Sequence, residues 1–162
     1  LFIDDSPNMT LMEIRAKCRR LKQRNDLKLV VLDYLQLMSS GKKVESRQQE
    51  VSEFSRSLKL LAKELDVPVI ALSQLNRGSE QRTDKRPMVS DLRESGSIEQ
   101  DADMVILLHR EDMYNPDSDR VGEADMIIAK HRGGPTKTIP LAFSGKYSRF
   151  NNMASETPPQ QY

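Results

Sequence analysis

The fold is decided by Leu29-Val30-Val31-Leu32-Asp33 and Val69-Ile70-Ala71-Leu72-Ser73-Gln74, two apolar runs that each end in polar residues. Continuous apolar runs of this length are typical of strands that are buried on both faces of a parallel sheet. In open α/β sheets, the functional side chains lie beyond the carboxyl ends of such strands. The residues that follow the two runs are therefore the first candidates for a functional site.

Amphipathic helices are predicted before and after the first strand. Thr10 and Glu13 form a capping box at the start of one helix, and Ser46 and Gln49 form a capping box at the start of the other. An apolar stripe at helical spacing lines one face of the second helix: Val51, Phe54, Leu58, Leu61 and Leu65. These helices are expected to flank the sheet.

The second half of the chain is predicted to be mostly strands. A further buried strand is followed by three more: Met104–Leu108, then Asp125–Lys130, Lys137–Phe143 and Tyr147–Phe150. The order predicts an α/β fold with a mainly parallel sheet, flanking helices and antiparallel strands at the C-terminal end. Residues 1–150 are expected to form part of one domain, and the polar residues 151–162 are expected to be a disordered tail.

Composition restricts the compartment and the kind of site. The 162 residues carry a formal net charge of +1 and contain a single cysteine, Cys18, which cannot form an internal disulfide. This cysteine usage favours a cytoplasmic location. No apolar run is long enough for a membrane span. His109 and His131 are too isolated from Cys18 to indicate a metal site.

Two polar residues at strand ends are candidates for a nucleotide site. Asp33 follows four apolar residues, which is the Walker B pattern, in which a carboxylate contacts Mg²⁺, often through water. The alternative is that Asp33 only ends a strand or caps a loop. Gln74 could form a hydrogen bond with a terminal phosphate, although Gln is also common at exposed strand ends. The residues alone leave both alternatives open.

Four motifs occur in order along the chain. They are Leu32-Asp33-Tyr34-Leu35-Gln36-Leu37-Met38, Ala71-Leu72-Ser73-Gln74-Leu75-Asn76-Arg77, Asp91-Leu92-Arg93-Glu94-Ser95-Gly96-Ser97-Ile98-Glu99-Gln100-Asp101-Ala102-Asp103 and Ala129-Lys130-His131-Arg132-Gly133-Gly134-Pro135-Thr136. Together they resemble the DnaB family of bacterial replicative DNA helicases, from Leu1 to about Asn152. The resemblance implies a RecA-like P-loop NTPase fold, a homohexameric ring, and ATP with Mg²⁺ bound between subunits.

The resemblance also implies a role for each candidate at the ATP site. Asp33 would be the Walker B carboxylate that contacts Mg²⁺ indirectly, and Gln74 would sense the γ-phosphate. Lys130 and Arg132 would reach the ATP of a neighbouring subunit, Arg132 as an arginine finger. Residues i and i+2 of a strand point to the same side, which agrees with this pairing of roles. Without the resemblance, both residues would be interpreted as a basic strand end before a Gly-Gly-Pro turn.

The resemblance places single-stranded DNA contacts at Arg93, Glu94 and Gly96. Arg93 can pair with a phosphate and Gly96 permits close backbone approach, whereas Glu94 would orient Arg93 or bond through its backbone. Residues 76–98 contain no aromatic side chain, so binding is expected to depend on phosphates and to be sensitive to salt. The preceding basic residues could add to an electropositive channel, but they alternate with acids and are interpreted as a mixed-charge mobile loop: Arg77, Arg82, Lys85 and Arg86.

The activity that the resemblance implies is ATP-driven movement on single-stranded DNA, 5′ to 3′, with duplex unwinding during replication. Primase and a helicase loader are the implied partners. The chain contains no Gly-x-x-x-x-Gly-Lys-Ser/Thr loop, which the family carries upstream, so the chain alone is expected to be inactive. The alternatives are a RecA-like recombination or repair ATPase and a non-catalytic protein-interaction module.

Overall fold

The computed structural model describes residues 1–7, 9–38, 47–92 and 95–153. Its helices and strands follow the order α1 (Leu11–Asn25), β1 (Val30–Leu32), α2 (Arg47–Leu65), β2 (Val69–Ala71), α3 (Gly78–Gln81), α4 (Ser95–Asp101), β3 (Met104–His109), β4 (Glu123–His131), β5 (Lys137–Ser144) and β6 (Arg149–Asn152). The chain forms two compact units. The first consists of Leu1–Gly78 and Val89–Ala102, and the second consists of Ser79–Met88 and the chain from Asp103 onward. Within the described ranges, no helix is long and apolar enough to cross a membrane.

Helix α1 begins at the predicted capping box. The Glu13 N–H donates to Thr10 Oγ1 at 3.3 Å, and the Thr10 N–H donates to the Glu13 carboxylate at 2.8 Å. These bonds satisfy backbone donors that the first turn of a helix leaves without partners. Ile14 and Cys18 are the buried residues of this helix. The first capping box is confirmed, whereas the one predicted at Ser46 lies outside the described residues.

Helix α2 supplies the core of the first unit. All five residues of its apolar stripe are buried, as predicted, and Val51 and Phe54 are 0% exposed. Burying one aliphatic or aromatic side chain contributes roughly 1.5 to 3 kcal/mol, so the stripe is a main source of stability. On the surface, Arg15 of α1 forms an ion pair with Glu64 of α2, with 2.6 Å between Nη2 and Oε2. This exposed pair orients the two helices more than it stabilises them.

Strands β1 and β2 pair in parallel, with Leu32 opposite Ala71. The pairing confirms the parallel part of the predicted sheet. The outward-facing residues Val31 and Ile70 are 56% and 49% exposed, however. The expectation that both strands are buried on both faces is therefore wrong for this chain, because its described residues cover only one face of the pair.

The second unit contains a four-stranded antiparallel sheet in the order β3–β4–β5–β6. Burial alternates along β3: Val105 and Leu107 are buried, whereas Ile106 and Leu108 are about half exposed. This strand therefore has one buried face and is not the fully buried strand that was predicted. Among the described residues, three strand pairs are antiparallel and one is parallel, so the antiparallel part is larger than expected.

The last strand is shifted along the chain relative to the prediction. Gly145–Tyr147 forms a 3₁₀ turn, and Ser148 adopts a left-handed conformation with φ of 47° before β6 begins. At the end of β6, Asn152 pairs with Leu141. The sheet therefore includes two residues that the prediction assigned to the tail, and residues 154–162 lie outside the described part of the chain.

A buried ionic cluster attaches the segment Ser79–Met88 to the antiparallel sheet. Asp125 of β4 is 3% exposed and accepts hydrogen bonds from Arg120 at 2.7 and 3.1 Å and from Arg86 at 2.8 Å. Arg86 also donates to Thr138 Oγ1 of β5 at 2.9 Å. The bonds from Arg120, with those from Arg86, hold the pKa of Asp125 below its usual range against the opposing effect of burial. Arg86 is thus a structural residue of a mixed-charge loop, and the expectation that it is mobile is wrong.

Asp125→Asn is expected to destabilise the second unit by about 3 kcal/mol, because two partly buried guanidinium groups lose their counter-charge. Hydrogen–deuterium exchange would show the loss as a lower free energy of opening for amides in β4 and β5. The matched control is Asp26→Asn, which removes a pair with Lys28 whose side chains are 71% and 76% exposed. That control is expected to cost less than about 1 kcal/mol. Equal protection in the two variants would contradict the structural role of Asp125.

Candidate functional site

The parallel pairing of β1 with β2 places the residues after both strands at one edge of the sheet. The Leu72 N–H donates to Leu32 O and the Leu35 N–H donates to Leu72 O, each at 2.9 Å. These bonds extend the pairing beyond the strand ends, so Asp33 and Gln74 lie on adjacent chain segments. Both residues are exposed. The structure thus brings the two residues predicted for the subunit's own ATP to the same edge.

Gln36 connects the segment after β1 with the segment after β2. Its Oε1 accepts a hydrogen bond from the Gln74 N–H at 3.2 Å, and its Nε2 donates to Ser73 Oγ at 3.1 Å. A backbone N–H can only donate, which fixes the orientation of the Gln36 amide. The backbone of Gln74 is therefore held in place while its side chain lies at the surface. Sequence reasoning missed this role, and the only signal was the place of Gln36 in the first motif.

An open depression of about 360 Å³ lies at this edge and is lined by Tyr34, Leu72, Ser73 and Gln74. Tyr34 is joined to Asp33 by a cis peptide bond. The edge therefore offers a carboxylate, a hydroxyl and an amide to an incoming ligand. The hydroxyl and the amide N–H can donate to phosphate oxygens, and the carboxylate can accept from the water molecules around a cation.

The fit of Mg²⁺ to this edge depends on Asp33. Mg²⁺ usually retains several water molecules and is held by one or two carboxylates together with phosphates of a nucleotide. A single exposed carboxylate fits such an indirect contact. Among the residues that the structure describes, no group of three or more His, Cys, Asp or Glu side chains is arranged to hold a metal by itself.

Lys130 and Arg132 lie at the end of β4, in the second unit. Lys130 is opposite Val105, next to a bulge in the β3–β4 pairing. The Arg132 N–H donates to Asp103 O at 2.9 Å, and its Nε lies 4.0 Å from Asp103 Oδ1, with the two side chains 55% and 64% exposed. Such an exposed pair contributes at most about 1 kcal/mol, so a phosphate could replace Asp103 as the partner of Arg132. Sequence reasoning missed Asp103, whose only signal was its position at the end of the third motif.

Of the three predicted DNA contacts, Arg93 and Glu94 lie outside the described residues. Gly96 is the second residue of α4 and is exposed, and a methyl group at this position would meet no atom of the described residues within 4 Å. Packing against the described part of the chain therefore does not require glycine there. In the preceding polar segment, Lys85 forms a cation–π contact with Tyr114, with 5.1 Å between Nζ and the centre of the ring.

The segment that leads to Arg93 is joined to the segment that follows β2. Leu75 forms an isolated antiparallel bridge with Leu92, and the Asn76 N–H donates to Asp91 O at 2.7 Å. Leu92 and Asp91 are 6% and 3% exposed, so the junction is buried. The residue after the predicted phosphate sensor and the residue before the predicted DNA contact are therefore held against each other.

Comparison with known proteins gives a consistent assignment. Residues 1–152 match the family of DnaB-like helicase C-terminal domains. The replicative DNA helicase DnaB of Leifsonia xyli subsp. xyli is 77% identical over 154 residues, which cover 95% of this chain and 34% of that protein. The corresponding protein of Geobacillus stearothermophilus is 60% identical over 154 residues, which cover 94% and 34%. The chain thus spans about a third of the length of these curated relatives.

Two solved structures resemble the fold closely. A solved ATPase domain is similar with a TM-score of 0.86 and 49% identity, covering 90% of this chain and 52% of that one. A DnaB-like replicative helicase, described together with its interactions with primase, is similar with a TM-score of 0.90 and 48% identity, covering 94% and 38%. The likeness shows a RecA-like α/β fold of the kind found in helicase ATPase domains.

Gln36→Ala is expected to loosen the backbone after β2, because it removes the acceptor of the Gln74 N–H. The loss of one hydrogen bond, about 1 kcal/mol, corresponds to roughly fivefold faster amide exchange in residues 73–76. Hydrogen–deuterium exchange of the peptide that contains these residues measures the effect. Gln23→Ala on the exposed side of α1 is the matched control, and equal exchange in the two variants would show that Gln36 does not hold this segment.

Proposed function

Because the chain belongs to the family of DnaB-like helicase C-terminal domains, we propose that it is the part of a replicative DNA helicase that couples ATP hydrolysis to movement on single-stranded DNA. One observation carries the proposal. The edge that presents Asp33 and Gln74 continues directly into the buried Leu75–Leu92 bridge, one residue before Arg93. A candidate phosphate-sensing residue and a candidate DNA loop are therefore connected through a few backbone contacts.

At the subunit's own nucleotide, Asp33 would hold a water molecule of Mg²⁺ and Gln74 would bond the γ-phosphate. The support is the geometry of this edge, where an exposed carboxylate and an exposed amide follow paired strands. Bound Mg²⁺ would neutralise charge on the phosphates. The phosphate loop that cradles ATP does not occur in this sequence, so the chain by itself is expected neither to hydrolyse ATP nor to unwind DNA.

At the nucleotide of a neighbouring subunit in a homohexameric ring, Lys130 and Arg132 would contact the phosphates. Arg132 suits the role of an arginine finger because its planar guanidinium can donate two parallel hydrogen bonds to phosphate oxygens. Its pairing with Asp103 is exposed, and a phosphate would compete with that carboxylate for the guanidinium. Such an exchange of partners would make ATP hydrolysis depend on the arrangement of two adjacent subunits.

Loss of the γ-phosphate would reach the DNA through the backbone. A shift at Gln74 would displace Leu75, and the bridge from Leu75 to Leu92 would pass the displacement to Arg93 and to the start of α4. Arg93 would release or regain a DNA phosphate as a result. The exposed Gly96, beside which no described atom lies within 4 Å of an added methyl group, would let the strand approach the backbone closely.

The proposed assembly and partners are those of a ring helicase of this family. The solved DnaB-like helicase that was described with primase supports primase as a partner. A helicase loader, 5′ to 3′ movement and a cytoplasmic location are further parts of the proposal. Neither alternative function is favoured, because residues 1–152 match the helicase family along nearly the whole chain.

Arg132→Ala in the full-length protein is expected to lower the kcat of ATP hydrolysis by about 1,000-fold or more, since the finger stabilises charge in the transition state. Binding of ATP is expected to change little, because the cradle lies elsewhere. Steady-state ATPase assays and nucleotide titrations separate the two quantities. Arg149→Ala, an exposed arginine of β6, is the control. An Arg132→Ala ring with the ATPase rate of the control would refute the finger role.

Arg93→Ala is expected to weaken single-stranded DNA binding by a similar factor for all sequences. Removal of one phosphate contact should reduce the slope of log K against log salt by about 0.7. Fluorescence anisotropy over a range of salt concentrations measures this slope. Arg20→Ala, an exposed arginine of α1, provides the baseline, and an Arg93→Ala slope identical to that baseline would remove Arg93 from the DNA contacts.

A further inference from the structure

His131 is the last residue of β4, between Lys130 in the strand and Arg132 directly after it. Because successive side chains of a strand alternate between its faces, the imidazole is expected on the face opposite to Lys130. Its Nδ1 accepts a hydrogen bond from the Gly133 N–H at 3.0 Å. Because a backbone N–H can only donate, Nδ1 is the acceptor in this bond.

This hydrogen bond fixes the backbone around Arg132. The peptide group before its Cα is held by the bond from the Arg132 N–H to Asp103 O (2.9 Å). The peptide group after its Cα contains the Gly133 N–H, which His131 holds. A residue has only two soft backbone dihedrals, and hydrogen bonds on both flanking peptide planes restrict both of them. The direction in which the Arg132 side chain leaves the backbone is therefore set jointly by Asp103 and His131.

The turn that follows is packed against the same imidazole. A Cβ atom at Gly134 would lie 3.1 Å from His131 Cε1 and 3.2 Å from Nδ1, closer than side chains normally approach. The backbone of Gly134 does not have a positive φ, so its conformation is one that alanine can adopt. A methyl group here would therefore require the ring to shift by a few tenths of an ångström, so the Gly-Gly turn contacts His131 by shape as well as by hydrogen bond.

From these contacts we infer that His131 is a positioning residue for Arg132, acting through the backbone of the Gly133–Gly134 turn. The inference rests on the proposed function, in which Arg132 reaches the phosphates of a neighbouring subunit's ATP. An arginine finger must bond the phosphates in the transition state, so a fixed side-chain direction raises the rate of hydrolysis. A misplacement of about 1 Å can lower that rate by about 100-fold. His131 would supply that fixed direction without contacting the nucleotide.

Three substitutions in the full-length protein separate the hydrogen bond from the shape of the ring. His131→Asn keeps an acceptor that can bond the N–H two residues on, as in an Asx turn, and is expected to retain kcat close to that of the unmodified protein. His131→Phe keeps a ring without the acceptor, and His131→Ala removes both. These two are expected to lower kcat by about 10- to 100-fold with KM for ATP unchanged, and ring assembly is verified by size-exclusion chromatography.

A double-mutant cycle tests the contact with Gly134 directly. Gly134→Ala should lower kcat when the imidazole is present, since the added methyl displaces the ring. In the His131→Ala background, the same substitution should have little further effect, so the two changes are not additive. Gly145→Ala is the matched control, because its Cβ would meet its nearest atom at an ordinary 3.7 Å. Additive effects of His131→Ala and Gly134→Ala would overturn the inference.

The outcomes distinguish this inference from the proposed function. If Arg132→Ala has no effect on ATPase, the finger role fails whatever the His131 variants do. If Arg132→Ala abolishes ATPase while His131→Phe and His131→Ala keep the unmodified kcat, the finger role stands and the positioning role of His131 is wrong. A fall in kcat for both His131 variants, restored by His131→Asn, is the result that supports it.

Discussion

The parallel hydrogen bonds between β1 and β2 set the position of the candidate nucleotide-site residues in the first unit. They continue past the strand ends through Leu72, so that the segments carrying Asp33 and Gln74 cannot separate. The Gln36 side chain reinforces this arrangement from the first motif. Because the strands are only three residues long, the buried stripe of α2 provides much of the packing that keeps the unit in place.

The second unit presents its basic residues by a different physical means. Lys130 and Arg132 lie at the end of an antiparallel strand pair, beyond a bulge that shifts its register, and the Arg132 N–H extends the contact by donating to Asp103 O. The buried carboxylate of Asp125, further back on β4, anchors the same strand through two arginines. In the proposed function, one unit offers groups for a subunit's own nucleotide, and the other offers groups for its neighbour's.

Local patterns predicted a large part of this arrangement. Apolar runs predicted β1 and β2, and helical spacing predicted the buried face of α2, because these features depend on residues near one another in the chain. The Gln36 contacts and the Leu75–Leu92 bridge join segments separated by long stretches of sequence, and no periodicity contains that information. The structural role of Arg86 was missed for the same reason, since its partner Asp125 lies on a distant strand.

Mixed rings of the full-length protein test most directly the central claim that each ATP site combines Gln74 of one subunit with Arg132 of the next. Rings made only of Gln74→Ala subunits, or only of Arg132→Ala subunits, contain no complete site. In a mixed ring, an Arg132→Ala subunit still supplies Gln74 while its Gln74→Ala neighbour supplies Arg132, so some sites are complete. We predict that the mixture regains ATPase activity that neither pure ring has. A mixture no more active than the mean of the two pure rings would contradict this division of the site.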